Sequence, residues 1–134
     1  MKTIVCIDDK FGMLFDGKRQ SRDRGLIENL LDFVGKERLF ISPFSKILFD
    51  GKSVVISDNP LDQAGKGDFV FVEDLFLLPY LDKIEEIIIY KWNRTYPRDA
   101  LLDLLPERYG LTLVERLDFV GTSHKKITRE VYRK

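Results

Sequence analysis

Apolar positions along the chain fall into short, near-continuous runs. "TIVCI" (3–7), "RLFIS" (38–42), "SVVIS" (53–57), "DFVFVE" (68–73) and "EEIIIYKW" (85–92) are rich in Val, Ile and Phe. Unbroken runs of this kind suit strands covered on both faces. "LTLVERLDFV" (111–120) and "KKITREVYR" (125–133) alternate more and are joined by "GTSH", which predicts an antiparallel pair closing the chain.

Between the strands the period changes. Leu26, Ile27, Leu30, Leu31 and Val34 fall on one helical stripe, with Ser21 as the expected N-cap and Gly35 as the stop. Gly25 in the first turns costs roughly 1 kcal/mol relative to Ala, so this end is expected to fray. "PFSKILF" (43–49), "PLDQA" (60–64), "DLFLLPYLD" (74–82) and "PRDALLDLL" (97–105) predict further short helical or turn segments, with Pro43 and Pro60 at N1. The order predicts an α/β fold: one three-layer domain over residues 1–134, a mixed, mostly parallel sheet with helices on both faces.

Composition narrows the function classes. With 44% hydrophobic and 33% charged residues the chain should be soluble and globular. Lys plus Arg equals Asp plus Glu, 22 each, which argues against a protein built to coat nucleic acid. Cys6 is the only cysteine and His124 the only histidine, which excludes an intrachain disulfide and Cys/His zinc sites. No stretch approaches the ~20 apolar residues of a membrane span, and the apolar run ending at Asp8-Asp9 is too short for a signal peptide. A cytoplasmic location is expected.

The neutral total hides polarity. Lys18 to Arg24 carries four positive residues and one negative, Asp68 to Glu86 six carboxylates and one lysine, and Lys125 to Lys134 five positive residues and one negative. Such edges keep a domain soluble, or steer an anionic ligand to one side.

Few motifs carry chemistry. "FDGKS" (49–53) is no phosphate-binding loop: the earlier glycine is replaced by Lys46, and Gly51-Lys52 leads into a strand. Asp8 and Asp9 end the first strand, where open α/β sheets bind ligands; they either hold a cation or cap the loop. Asp23 is either a first-turn carboxylate favoured by the helix dipole or a pocket carboxylate tuned by burial. "YKWNRTYP" (90–97) offers Tyr90, Trp92 and Tyr96 for stacking on a planar ring, or simply for packing. His124 reads as a turn or surface residue, Thr122 and Ser123 as makers of local turn hydrogen bonds. No Ser-His-Asp or Cys-His constellation is assembled from the sequence.

Taken together, the chain resembles the dihydrofolate reductase-like family. "CIDDKFGM" is similar to that family's opening strand, its Asp and the start of its Ile-Gly-Met loop. "RLFISPFSKILF" and "SVVISDN" resemble its second strand and helix and its third strand. "DFVFVEDLFLLPYLDKIEEIIIYKW" resembles the strand, short helix ending in Leu-Pro, and next strand; "TYPRD" the Phe-Pro-Asp segment; "SHKKITREVY" the final strand. The resemblance implies NADPH as cofactor, with Asp23 as the acid against a pterin. It implies Cys6, Asp8, Arg19, Arg22, Asp23, Tyr90 and Trp92 as substrate-side residues, Tyr90 standing where a supporting Thr is usual. Two family cofactor motifs are absent: Gly-Gly is replaced at Val72-Glu73-Asp74, and Gly-Arg at Ser42-Pro43.

Three expectations follow. One is a binding module for a nucleotide-like or other anionic ligand, in a cleft beside the 8–24 loop and without ordinary NADPH chemistry; nucleic acid and protein partners belong to the same class. Another is an NADPH-dependent reductase of a pterin-like or pyrimidine-like ring. A third is a carboxylate-metal hydrolase built on Asp8, Asp9, Glu73 and Asp74.

Overall fold

A computed structural model describes residues 1–134. Its main sheet runs through β1 (Lys2–Ile7), β4 (Leu39–Ile41), β5 (Val55–Ile56), β6 (Phe69–Phe71), β7 (Glu86–Lys91), β9 (Thr112–Phe119) and β10 (Ile127–Arg133). The order is β5-β4-β6-β1-β7-β10-β9. The first five strands are parallel, while β10 pairs antiparallel with both β7 and β9.

The unbroken apolar runs have a direct reason: both faces are covered. Ile4, Leu39, Ile41, Phe69, Phe71, Ile88 and Tyr90 point into one core. Their neighbours Val5, Ile7, Phe40, Val70, Ile87 and Ile89 point into the other. A one-residue slip would exchange the two sets, and their side chains differ in size, so register is tightly specified.

The first core is roofed by α1 (Arg24–Val34), whose Leu26, Ile27, Leu30 and Val34 are buried against it. Gly35 ends α1 at φ 64° with its N–H on the Leu31 carbonyl, a left-handed φ that favours glycine. The other core is closed by α2 (Pro60–Gln63) with Leu61 and Ala64, by Leu77 and by Leu102 and Leu104. The segments at Pro43–Phe49 and Leu78–Lys83 are 3-10 rather than α-helical.

Several local expectations are corrected. The N-cap of α1 is Asp23, not Ser21: its carboxylate accepts from the Leu26 N–H. The helix expected over 97–105 is instead a two-residue strand, β8 (Ala100–Leu101). Asp103 there accepts the Leu77 and Leu78 N–H groups, while Leu102 and Leu104 reach the core with a period of two. The run 53–57 contributes only Val55 and Ile56, both exposed at the sheet edge.

The 8–24 segment is also more ordered than a solvated loop. β2 (Gly12–Phe15) pairs with β3 (Lys18–Arg19) and with β8 in a small antiparallel sheet. The hairpin turns on Asp16 (φ 52°) and Gly17 (φ 69°), the paired positive φ that an Asp-Gly turn supplies.

Candidate functional site at the start of the first helix

Asp8 follows β1 and closes its own loop. Its carboxylate accepts the N–H groups of Lys10 (2.9 Å), Gly12 (2.7 Å) and Tyr96 (3.1 Å), and the Gln20 amide (3.2 Å). Burial alone would raise its pKa, but the Gly12, Tyr96 and Lys10 N–H groups outweigh it and hold the carboxyl below its usual range. Asp9 is exposed and meets Thr95.

Asp23 is more heavily engaged. Its Oδ1 accepts from the N–H groups of Leu26 (3.0 Å) and Thr122 (2.9 Å). Its Oδ2 accepts from the Ser123 N–H (2.8 Å) and hydroxyl (3.1 Å), and pairs with His124 Nδ1 at 2.8 Å. Burial opposes ionisation, but the Thr122 and Ser123 N–H groups, His124 and the Leu26 N–H push the carboxyl far below its ordinary pKa. The turn after β9 is thus clamped onto the start of α1. Glycine makes this possible: a Cβ on Gly121 would sit 2.5 Å from Asp23 Oδ2 and 2.7 Å from Ile127 Cδ1. Gly25, expected to weaken the helix, likewise faces Gly121 and the Thr122 N–H, and its own N–H binds Thr122 Oγ1.

His124 is therefore not a surface residue; it is 4% exposed. Its Nε2 lies 3.0 Å from Ser21 Oγ and 3.1 Å from the Tyr96 hydroxyl, and those two hydroxyls are 3.4 Å apart. Trp92 lies against the imidazole, ring centroids 4.7 Å apart. No pattern in the sequence links residues 21–23 to 121–124. The link arises because β10 inserts beside β7 and delivers the preceding turn to α1.

Beside this cluster lies a narrow cleft of about 20 Å³, room for little more than one water molecule. Cys6, Arg19, Arg22, Asp23 and Trp92 all line it, together with Ser21. Asp8 and Tyr90 do not; Tyr90 is fully buried beneath α1, its hydroxyl on Asn29 Oδ1 at 2.8 Å. Burial, and then the Glu73 charge, push the Cys6 thiol well above its ordinary pKa, so it lines the cleft as a neutral group.

The opposite wall is a clamp. Glu73, just past β6, holds Arg19 through both oxygens (Nε to Oε2 and a terminal NH₂ to Oε1, each 2.9 Å) and accepts from Ser45 Oγ at 2.7 Å. Arg19 also donates to the Phe44 carbonyl and lies over the Phe44 ring. Where the resemblance places a Gly-Gly approach to a cofactor, this structure has a side chain held by three hydrogen bonds from two partners. Asp74 meets Ser42 at 3.5 Å. Asp8, Asp9, Glu73 and Asp74 are thus engaged separately, and no group of three or more His, Cys, Asp or Glu side chains is arranged to hold a metal ion.

A second, larger and more open groove of about 310 Å³ continues from the cleft, sharing Arg22, Asp23, Ile27 and Leu48. Arg24, Lys52, Glu28 and Asp50 complete its charged lining, and Lys46 flanks it. The cations Arg22, Arg24, Lys46 and Lys52 enter no ion pair within the chain.

No protein-family model matches the sequence, and no curated protein matches it either. Solved structures do match in shape. The dihydrofolate reductase of Enterococcus faecalis, solved with NADP(H) and RAB-propyl, superposes with a TM-score of 0.68 over 98% of this chain and 94% of its own, at 9% identity. Nearly the whole of both chains shares one path while few residues are shared, and on that likeness of shape the chain has the dihydrofolate reductase-like fold.

Proposed function

We propose that the chain binds a small, elongated, anionic ligand, nucleotide-like in chemistry, and does so without ordinary NADPH chemistry. The observation that carries this reading is the continuity of the two cavities through Arg22, Asp23, Ile27 and Leu48. The anionic end lies in the open groove near Arg22, Arg24 and Lys52, and the rest of the ligand rests at the mouth of the cleft that Trp92, Leu26 and Phe71 line. Glu28 and Asp50 share that groove, so the anion must reach the arginines at the cleft mouth. The Glu73–Arg19 clamp argues against the cofactor, because a pyrophosphate needs open backbone N–H groups and here would meet a carboxylate already held in place.

Trp92 is the only tryptophan and lines the cleft, so its fluorescence reports occupancy. Adenosine monophosphate is expected to quench it saturably. The affinity should fall with salt and fall about tenfold in Arg24→Ala/Lys52→Ala. Equal binding of adenosine and its monophosphate, or no quenching by either, overturns the reading. The reductase reading has one observation in its favour, an ionised Asp23 at the wall of the cleft. It requires saturable binding of NADPH, which the same titration measures.

A further inference from the structure

Ser21, His124 and Asp23 stand in a relation that nothing in a binding role demands. Asp23 Oδ2 accepts from His124 Nδ1 at 2.8 Å, and His124 Nε2 faces Ser21 Oγ at 3.0 Å. That is a hydroxyl, a base and an orienting carboxylate in a row, the arrangement that activates a serine for acyl transfer wherever it occurs. The tautomer with its proton on Nδ1, toward the Asp23 carboxylate, leaves the Nε2 lone pair facing the Ser21 and Tyr96 hydroxyls. The Trp92 ring, 4.7 Å from the imidazole, limits its rotation.

The surroundings suit the chemistry. His124 and Asp23 are buried, whereas Ser21 is partly exposed and lines the cleft. The main-chain N–H of Arg22, directly after the serine, makes no hydrogen bond within the chain. The Tyr96 hydroxyl lies 3.4 Å from Ser21 Oγ. The Arg22 N–H is the donor beside the serine left for negative charge on an attacked carbonyl oxygen, because the Tyr96 hydroxyl also lies 3.1 Å from His124 Nε2 and sits on the side of the base. Glu28, Asp50 and the cations Arg22, Arg24 and Lys52 line the adjoining groove.

We infer that Ser21 and His124 are catalytic residues of an ester hydrolase, with Asp23 positioning the histidine, and that its substrates are esters carrying an anionic group. Ser21 Oγ bonds to the carbonyl carbon as its proton passes to His124 Nε2. The C–O bond to the alcohol breaks, and His124 returns the proton to the departing oxygen. Water, deprotonated by His124, then attacks the acyl carbon; the bond to Ser21 Oγ breaks, His124 Nε2 returns the proton to that oxygen, and the carboxylic acid leaves. No oxidant, metal or cofactor enters. The serine chemistry stands on its own geometry; the anionic substrate class rests on the groove reading above.

The test uses the whole chain with a fluorophosphonate and two esters, 4-nitrophenyl acetate and mono-4-nitrophenyl succinate. The expected result is a covalent adduct mapped to Ser21 and 4-nitrophenol release that favours the succinate ester. Ser21→Ala and His124→Gln should each lower kcat on the order of a hundredfold or more. Asp23→Asn keeps an N-capping side chain and should lower kcat per serine labelled by the fluorophosphonate, a readout that a smaller folded fraction does not move. Arg24→Ala/Lys52→Ala should raise KM for the succinate ester about tenfold more than for the acetate. No adduct on Ser21, or equal turnover by Ser21→Ala, overturns the inference even if anions still quench Trp92. A labelled Ser21 with no preference between the esters overturns the groove reading and its substrate class instead.

Discussion

Asp8 and Asp23 show how much a single carboxylate decides here. Each is buried and kept ionised by N–H groups, those on Asp8 from its own loop and Tyr96 and those on Asp23 from its own helix and the 121–124 turn. Both therefore bind protons less readily folded than unfolded. The stability they contribute is fully present above an unfolded Asp pKa of about 3.9 and is lost as pH falls through the lower folded values. Urea midpoints should hold level from about pH 7 to 5 and fall steeply toward pH 2. Asp23→Asn should be less stable at neutral pH and fall more shallowly; curves that run parallel would refute the role given to this carboxylate. The ligand roles open in the sequence for these two residues become distinguishable only here. Asp8 lies off the cleft and closes a loop, whereas Asp23 joins a helix, a turn and a histidine.

The first helix was legible in the chain because its stripe has a period that nothing else produces. Its buried face matches that stripe almost residue for residue, from Leu26 to Val34. Its start was not legible, because Ser21 and Asp23 are both good caps and the choice depends on the 121–124 turn docking there. Leu30 is fully buried between α1 and the sheet. Leu30→Ala should cost about 3 kcal/mol by cavity formation, read as a lowered urea midpoint with an unchanged slope. The segment 97–105 failed as a helix for a comparable reason. Its leucines satisfy a helical or an alternating pattern equally, and Asp103 is engaged by the backbone of Leu77 and Leu78 rather than by its own segment.

Across the molecule, one interaction ties the hairpin to the far side of the sheet. Arg19 of β3, Glu73 after β6 and Ser45 of the 3-10 segment meet at the rim of the cleft. The side chains of Arg19 and Glu73 are largely shielded, at 20% and 9% exposure, so the pair is stronger than a surface bridge. Glu73→Ala leaves Arg19 without its partner. Amide exchange across residues 18–22 should then quicken on the order of tenfold while that of β1 and β7 is unchanged, measured by hydrogen exchange. Unaltered exchange in the hairpin would show that β2–β8 pairing holds it unaided. The outer strand β9 exposes Leu113, Val114 and Leu117, and its interspersed Glu115, Arg116 and Asp118 are the charges that discourage edge-to-edge pairing.

The sequence by itself determined the class of fold, the seven strands of its main sheet, and the stripe that packs α1. These follow from burial, which writes its period directly into neighbouring positions. It also placed two carboxylates, Glu73 and Asp74, where the resemblance implies a Gly-Gly pair, because charge is a property of the residue. Only the tertiary structure decided that Ser21, Asp23 and His124 meet, that Tyr90 lies under the helix, and that Glu73 holds Arg19. These contacts join residues 54 to 103 positions apart. No local period encodes them; they depend on β10 entering the sheet beside β7 and on a glycine at 121 small enough to let the turn reach α1.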